Sequence, residues 1–207
     1  TRRIRRHTAA LERRLESSNR EVTKLRDHME QVRRDAMTDA LTNLANRKAF
    51  DEHLLRVCDE SEASGTSVGL AIIDIDHFKR FNDTWGHQTG DQVLRYVASV
   101  LGRVSRVPRI AARYGGEEFA VIFPGETAGA IEAALNAIRE EIASRALRRR
   151  STNDDLGAVT ISVGFGLRRP GESATQLLAR ADEALYASKR SGRNKVTAAA
   201  EAVSDAA

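Results

Sequence analysis

The sequence contains 207 residues, of which 41% are hydrophobic and 30% are charged. This length accommodates one domain with its own core and an additional segment. No apolar run approaches the about 18 residues that a transmembrane helix needs, so we expect a cytoplasmic chain without a membrane span. Cys58 is the only cysteine, which excludes an internal disulfide and a cysteine-rich metal site. We expect a half-buried helical thiol there rather than a redox sensor.

The net charge of +4 is unevenly distributed along the chain. Residues 1–36 contain 11 Lys and Arg against 6 Asp and Glu, whereas the remaining residues contain 22 against 23. Only the first stretch, Arg2–Arg6, could bind a polyanion such as DNA or an anionic membrane surface. Because a short basic run of this kind is usually a solvated helix face, we predict no nucleic-acid partner.

An apolar repeat with heptad spacing runs through residues 1–37. It predicts a long helix in a coiled coil, and therefore a homodimer, which the polar members of the repeat make marginal. A helix packed along its own domain is the alternative, which the polar character of the other faces disfavours. The repeat is already under way at Thr1, which predicts an upstream sensor domain, and the basic start would suit the cytoplasmic flank of a membrane-bound one. The repeat comprises Ile4, Leu11, Ser18, Leu25 and Val32 at one position and Thr8, Leu15, Val22, Met29 and Ala36 at the other.

From residue 38 onward, amphipathic helices alternate with short apolar strands. The order strand, helix, two strands, helix, strand predicts an α+β domain of the ferredoxin-like βαββαβ kind over residues 38–197, with helices on one face of an antiparallel sheet. The charged segment 145–155 is predicted to be a loop, and residues 198–207 a disordered tail. Helices are predicted over 47–61, 90–107, 127–147 and 174–189, and strands over 67–75, 109–114, 118–123, 159–167 and 195–198.

Acidic residues mark the end of the first buried strand and the start of a later one. Asp74 and Asp76 lie on one face of the extended backbone. Glu117 and Glu118 follow Gly115-Gly116, a glycine pair that predicts a hairpin with a positive-φ turn. If this hairpin pairs beside the first strand, Asp74 and Glu117 converge, and two hard oxygen ligands with open positions describe a Mg²⁺ site for phosphoryl transfer. Taken alone, such an Asp pair is more often a turn or a cap.

Five motifs, in order and at family spacing, resemble those of GGDEF-family diguanylate cyclases over nearly all of residues 38–197. The resemblance implies a polymerase-palm-like fold and the condensation of two GTP into cyclic di-GMP with release of pyrophosphate. The motifs are Asp39–Arg47 (DALTNLANR), the block from Asp74 to Asp91, Arg113–Phe119 (RYGGEEF), Ile161–Gly164 (ISVG), and Ala181–Tyr186 (ADEALY) followed by Lys189, Gly192, Arg193 and Asn194.

The resemblance also implies a catalytic centre. Asp74, the main-chain carbonyl of Ile75 and Glu117 would bind two Mg²⁺ ions, for which Mn²⁺ can substitute. Glu117 would in addition accept the proton of the attacking 3′-hydroxyl. Each domain would hold one GTP, so the enzyme would be active only as a dimer whose coiled coil keeps two domains at high effective concentration.

Substrate contacts follow from the same resemblance. Asn82 and Asp91 would read the guanine edge, because a carboxylate accepts from both N1–H and the 2-amino group, which adenine does not offer. His87 serves either as a turn residue or as a substrate contact. The triphosphate and the adjoining substrate surface would involve Phe78, Lys79, Gly115, Gly116, Lys189 and Arg193, although cations at the end of a helix also favour its macrodipole.

One segment departs from the family pattern. Many members carry an inhibitory R-x-x-D site just before the signature, and the corresponding residues here are Arg106-Val107-Pro108-Arg109. Arg109 replaces the carboxylate that would accept the guanine N–H groups. We therefore predict a degenerate inhibitory site and weak or absent product inhibition. A non-catalytic GGDEF-like nucleotide-binding module is the alternative function, but such modules usually lose a metal ligand or a signature glycine, and this sequence retains them.

Overall fold

The structure, a computed structural model, describes residues 2–148 and 155–200. The chain divides into two compact units whose boundary lies between Thr38 and Asp39. Among the described residues, none of the helices combines the length and the apolar character that crossing a membrane would require.

The first unit is a single α-helix, α1 (Arg2–Met37). The large apolar side chains of its heptad repeat that the structure describes are 44–70% exposed, as expected of a seam that a second helix would cover. Three repeat positions, Ile4, Thr8 and Leu11, lie outside the residues whose side chains are described. The exposed members are Leu15, Val22, Leu25, Met29 and Val32.

The described part of the second unit contains five helices and seven strands. The helices are α2 (Arg47–Ser64), α3 (Phe78–Trp85), α4 (His87–Val104), α5 (Ala128–Ser144) and α6 (Ala174–Arg190). The strands are β1 (Val68–Ile75), β2 (Ile110–Arg113), β3 (Glu118–Pro124), β4 (Ala146–Arg148), β5 (Asp155–Ala158), β6 (Ile161–Leu167) and β7 (Val196–Ala198).

The main sheet has five strands in the order β2-β3-β1-β6-β7. All neighbours are antiparallel except β6 and β7, which are parallel. Strands β1, β2, β3 and β6, with α4 and α5 as the two crossovers, form the predicted βαββαβ unit, and their order across the sheet is that of the ferredoxin-like fold. The predicted fold class is therefore confirmed.

Helices cover both faces of this sheet, so the expectation of helices on one face is wrong. All eight residues of β1 are buried. On one face, Ala71, Ile73 and Ile75 belong to the core formed with α4 and α5, and on the other, Leu70 and Ile72 belong to the core formed with α2 and α6. A continuous apolar run is typical of a strand that is buried on both faces. The unbroken apolar run of β1 therefore already indicated helices on both faces of the sheet.

Helix α6 lies unusually close to β6. A Cβ atom added to Gly164 would stand 2.0 Å from the main-chain nitrogen of Leu185 and 2.2 Å from the carbonyl oxygen of Ala181. Only glycine fits there, so the ISVG and ADEALY motifs are the two sides of one packing contact. The helix starts with a capping box between Ser173 and Gln176, and its last turn brings Lys189 to the end of β1.

Several element predictions differ from the structure. Helix α3 was not predicted, because it has eight residues and buries only Phe78, which leaves no helical repeat in the sequence. Helix α4 begins three residues before the predicted start. The charged segment 145–155 is not simply a loop, since β4 and β5 pair as a small antiparallel sheet. Ala199 and Ala200 are hydrogen-bonded to Phe165 and Arg169, and residues 201–207 of the predicted tail lie outside the described residues.

Candidate active site

The two predicted metal-binding carboxylates lie at the ends of neighbouring strands, Asp74 within β1 and Glu117 directly before β3. Asp74 is opposite Glu118 in the β1–β3 register, and the amide of Ile75 donates to the carbonyl oxygen of Glu117 at 3.3 Å. The structure therefore brings Asp74, Ile75 and Glu117 together at one end of the sheet. The two carboxylates are close enough for the charge of Asp74 to raise the pKa of Glu117.

Burial and neighbouring charges shape the electrostatics of this end. The side chain of Asp74 is 7% exposed, and its Oδ2 atom lies 2.8 Å from the Lys189 ammonium. Burial raises the pKa of Asp74, a change that Lys189 opposes. Burial also raises the pKa of Glu117, and the adjacent charge of Asp74 raises it further. Because the charge of Asp74 disfavours the ionised form of Glu117, a cation between the two carboxylates would be stabilising.

The ligand set is small. The described residues contain no group of three or more His, Cys, Asp or Glu side chains that could hold a metal ion, so a metal here would rely on two carboxylates and a main-chain carbonyl. Those are hard oxygen donors, which suit Mg²⁺. Asp76 does not join them, because its carboxylate accepts hydrogen bonds from Thr160, Ser162 and the amide of Asn194.

The signature loop between β2 and β3 differs from the predicted turn. Gly115 and Gly116 do not have positive φ, so the predicted positive-φ turn is wrong. The loop spans four residues, 114–117, which removes the need for that turn. Gly115 makes room for the Glu118 side chain, since a Cβ atom there would lie 2.5 Å from Oε2 of Glu118 and that side chain would have to move. A Cβ on Gly116 would meet nothing within 4 Å, which leaves space above the loop.

Residues of the first motif hold this loop, a role that the sequence did not reveal. Arg113 donates to the carbonyl oxygen of Gly116 at 2.8 Å and pairs with Asp39 at 3.3 Å. The ring of Tyr114 packs edge-on against Phe50 at 5.3 Å between centroids, and the Arg47 guanidinium lies 4.5 Å from the Tyr114 centroid. The order of these residues in the chain gave no signal of their contact.

The predicted guanine-reading residues lie where α3 meets α4. A Cβ on Gly90 would stand 1.8 Å from Oδ1 of Asn82, so the glycine before Asp91 makes room for that amide. Among the described residues, Oδ1 of Asn82 is buried without a hydrogen-bond partner. A buried polar atom of this kind is costly unless a ligand satisfies it. Asp91 is half-buried, and His87 is exposed.

The predicted phosphate-binding residues divide into two groups. Lys189 and Arg193 both act on Asp74, since each lowers its pKa. Arg193 lies beyond the end of α6 in a turn with φ 60°, so the macrodipole explanation applies only to Lys189. Phe78 is buried, whereas Lys79 is exposed on α3.

The degenerate inhibitory segment has a structural partner. Arg109 makes two hydrogen bonds to the Glu126 carboxylate at 2.6 and 2.7 Å, and its guanidinium lies 5.2 Å from the Phe123 centroid. The carbonyl oxygen of Arg106 accepts from the amide of Arg109 at 2.9 Å. Arg109 thus joins the start of β2 to the end of β3.

An antiparallel βαββαβ sheet with two carboxylates at adjacent strand ends and two cations beside them defines the class of palm-like α+β domains. A family model described as "Diguanylate cyclase, GGDEF domain" matches residues 36–195. The chain therefore belongs to the GGDEF family.

Curated relatives and solved structures agree with this assignment. Diguanylate cyclase VdcA of Vibrio cholerae is 36% identical over 193 residues, which cover 93% of this chain and 56% of VdcA. Diguanylate cyclase DgcP of Pseudomonas aeruginosa is 36% identical over 190 residues but is covered to only 28% of its length. The structure of the coiled coil and GGDEF domain of DgcB from Caulobacter crescentus, in complex with c-di-GMP, is 66% identical, covers 91% of this chain and 99% of that one, and has a TM-score of 0.87.

Proposed function

We propose that this chain is a cytoplasmic diguanylate cyclase, which condenses two GTP molecules into cyclic di-GMP and releases two pyrophosphates. The observation that carries the proposal is the meeting of Asp74 and Glu117 at adjacent strand ends, with Lys189 at 2.8 Å from Asp74. The family match over residues 36–195 supplies the reaction class.

The residues present fit a divalent metal. GGDEF diguanylate cyclases depend on divalent metals, and Asp74, Glu117 and the Ile75 carbonyl would hold two Mg²⁺ or Mn²⁺ ions here. Such ions would supply neutralisation of charge on the α-phosphate and would favour loss of the 3′-hydroxyl proton. Glu117 accepts that proton, since it is the carboxylate next to Asp74 at the end of the sheet.

The remaining residues bind and orient GTP. Lys189 and Arg193 neutralise triphosphate oxygens next to Asp74, with Lys79 and the start of α3 at Phe78 on the other side. Asn82 and Asp91 recognise guanine, and the buried Oδ1 of Asn82 supports this role, because a guanine N–H would give it a partner. The open space above Gly116 leaves room for the substrate.

Turnover requires two copies of the chain, because each domain contributes one GTP. GGDEF domains work as dimers, and the exposed seam of α1 would join two copies as a coiled coil. The solved DgcB chain also contains a coiled coil, and a structure of diguanylate cyclase SiaD, 35% identical with a TM-score of 0.78, contains its activator SiaC. Monomeric protein with undiminished activity after deletion of residues 1–34 would refute this part of the proposal.

Product inhibition through residues 106–109 should be weak. Arg109 is engaged by Glu126 and offers no acceptor to a guanine. The DgcB structure contains c-di-GMP, so product binding by this chain should be measured directly. Strong non-competitive inhibition that Arg106→Ala abolishes would contradict the prediction.

The deciding experiment identifies the product. Wild-type protein with GTP and Mg²⁺ should form cyclic di-GMP, identified by mass, while Asp74→Asn should form almost none. Asp59→Asn, an exposed aspartate on α2, is the matched control and should behave as wild type. GTP binding by the wild type without any cyclic dinucleotide would favour a non-catalytic nucleotide-binding module.

A further inference from the structure

One buried carboxylate next to the site has no part in the reaction described above. Asp76 directly follows β1 and is 9% exposed. Its Oδ1 atom accepts from the Ser162 hydroxyl at 2.7 Å. Its Oδ2 atom accepts from the Thr160 hydroxyl at 2.7 Å and from the amide of Asn194 at 3.0 Å. A single side chain thus joins the end of β1, the start of β6 and the turn after α6.

That turn has an unfavourable backbone. Gly192, Arg193 and Asn194 have φ values of 110°, 60° and 45°, and the left-handed region is costly for Arg193, whereas Asn adopts it more readily. Such a conformation persists when its surroundings hold it. The amide of Arg193 donates to the carbonyl oxygen of Ser188 at 3.0 Å, and Arg139 donates to Oδ1 of Asn194 at 3.1 Å. Asp76 adds the hydrogen bond from the Asn194 amide, on the side of the site.

The turn carries Arg193, whose charge acts on Asp74. Asp74 and Asp76 are two residues apart at the end of one strand, so a turn tied to Asp76 keeps Arg193 beside Asp74. We infer that Asp76 is a positioning residue, which holds the turn formed by residues 192–194 so that Arg193 can bind the triphosphate. This inference rests on the proposed function, since it assumes a nucleoside triphosphate at Asp74.

Two variants separate hydrogen bonding from charge. Asp76→Ala removes the acceptor of all three hydrogen bonds. Asp76→Asn keeps the shape, because its oxygen can accept from Thr160 and Asn194 while its amide donates to the Ser162 hydroxyl. With a non-hydrolysable GTP analogue, we expect affinity to fall about tenfold in Asp76→Ala and to stay within about twofold of wild type in Asp76→Asn.

A double-mutant cycle tests whether Asp76 acts through Arg193. If it does, Asp76→Ala should cost less than about twofold in analogue affinity when Arg193 is already alanine. Thr160→Val is the matched control, because it removes one hydroxyl from Asp76 without touching the turn, and its affinity should equal that of wild type. An equal loss with and without Arg193, or a tenfold loss in Thr160→Val, would overturn the inference.

Hydrogen exchange of the Asn194 amide gives a readout that is independent of activity. Exchange should be slow in wild type and Asp76→Asn and at least about tenfold faster in Asp76→Ala. If wild type forms no cyclic dinucleotide while these shifts occur, the proposed function fails and the positioning role stands. If Asp76→Ala does not fold, Asp76→Asn decides, because a folded Asp76→Asn with a tenfold loss of affinity or an unprotected Asn194 amide would refute a role based on hydrogen bonds.

Discussion

The two ends of strand β3 carry glutamates in opposite circumstances. Glu117 precedes the strand, is half-buried, and has a pKa raised first by burial and then by Asp74. Glu126 follows the strand and is held by two hydrogen bonds from Arg109. At the start of β3, Glu117 and Asp74 bring together negative charge that a ligand can neutralise. At the end of β3, Arg109 already neutralises the charge of Glu126. The comparison separates a carboxylate available for chemistry from one that serves structure.

The sharpest test of this comparison exchanges each glutamate for glutamine. Glu117→Gln removes the proposed proton acceptor and metal ligand, so kcat should fall by about a thousandfold or more. Glu126→Gln should change kcat by less than about twofold. Steady-state pyrophosphate release measures kcat for both variants. Comparable losses of kcat would show that the two glutamates do not differ in their role in the reaction.

The glycines of the signature loop provide the next test. Gly116→Ala adds a methyl group into open space, so the fold should tolerate it while KM for GTP rises about tenfold, because the methyl group would occupy substrate space. Gly115→Ala places the same group against Glu118 and should lower the melting temperature as well. Steady-state kinetics and thermal unfolding of the two variants measure these effects. An unchanged KM in Gly116→Ala would show that the substrate does not occupy the space above Gly116.

At the other end of β3, the ion pair should contribute to stability alone. Both partners are mostly buried, at 24% and 19% side-chain exposure, and the contact is bidentate. Arg109→Ala should therefore lower the free energy of unfolding by about 1–3 kcal/mol and leave kcat unchanged. Urea denaturation measures the change, and Arg95→Ala, an exposed arginine of α4, is the control.

The smallest effect concerns pH. A carboxyl whose pKa is raised on folding binds its proton more tightly in the folded state, so the metal-free protein loses stability as pH rises through the interval between the unfolded and folded pKa values. Glu117→Gln removes this contribution. The metal-free variant should match wild type below that interval and be slightly more stable above it, as thermal unfolding from pH 4 to pH 8 would show. A variant that is less stable than wild type at neutral pH would contradict the raised pKa.

Local patterns in the sequence predicted much of this arrangement. The apolar run of β1, the acids after it and the glycine-flanked strands placed Asp74 beside Glu117, since strand pairing follows from the order of elements. Helix α3 escaped prediction because a helix with one buried residue has no repeat. The positive-φ turn was wrong because the predicted strand continued to Tyr114, whereas in the structure the strand ends at Arg113 and Tyr114 belongs to a longer loop.

Contacts between distant segments could not be predicted in the same way. Arg113 pairs with Asp39 across 74 residues of sequence, and Asp76 reaches Asn194 across 118. Charge and spacing do not specify such partners, because any of several acids or amides could fill the position. For Arg109, the sequence showed that the inhibitory segment lacks its carboxylate, but it did not predict the ion pair with Glu126.

The contact at Gly164 has a consequence for how this chain tolerates mutation. Because a Cβ atom at Gly164 would stand 2.0 Å from the main chain of α6, a survey of all substitutions at this position should return glycine alone. The outward-facing positions of α6, such as Asp182 and Glu183, should accept many residues. The helix can therefore diverge on its surface among relatives while the distance between Lys189 and the end of β1 stays constant.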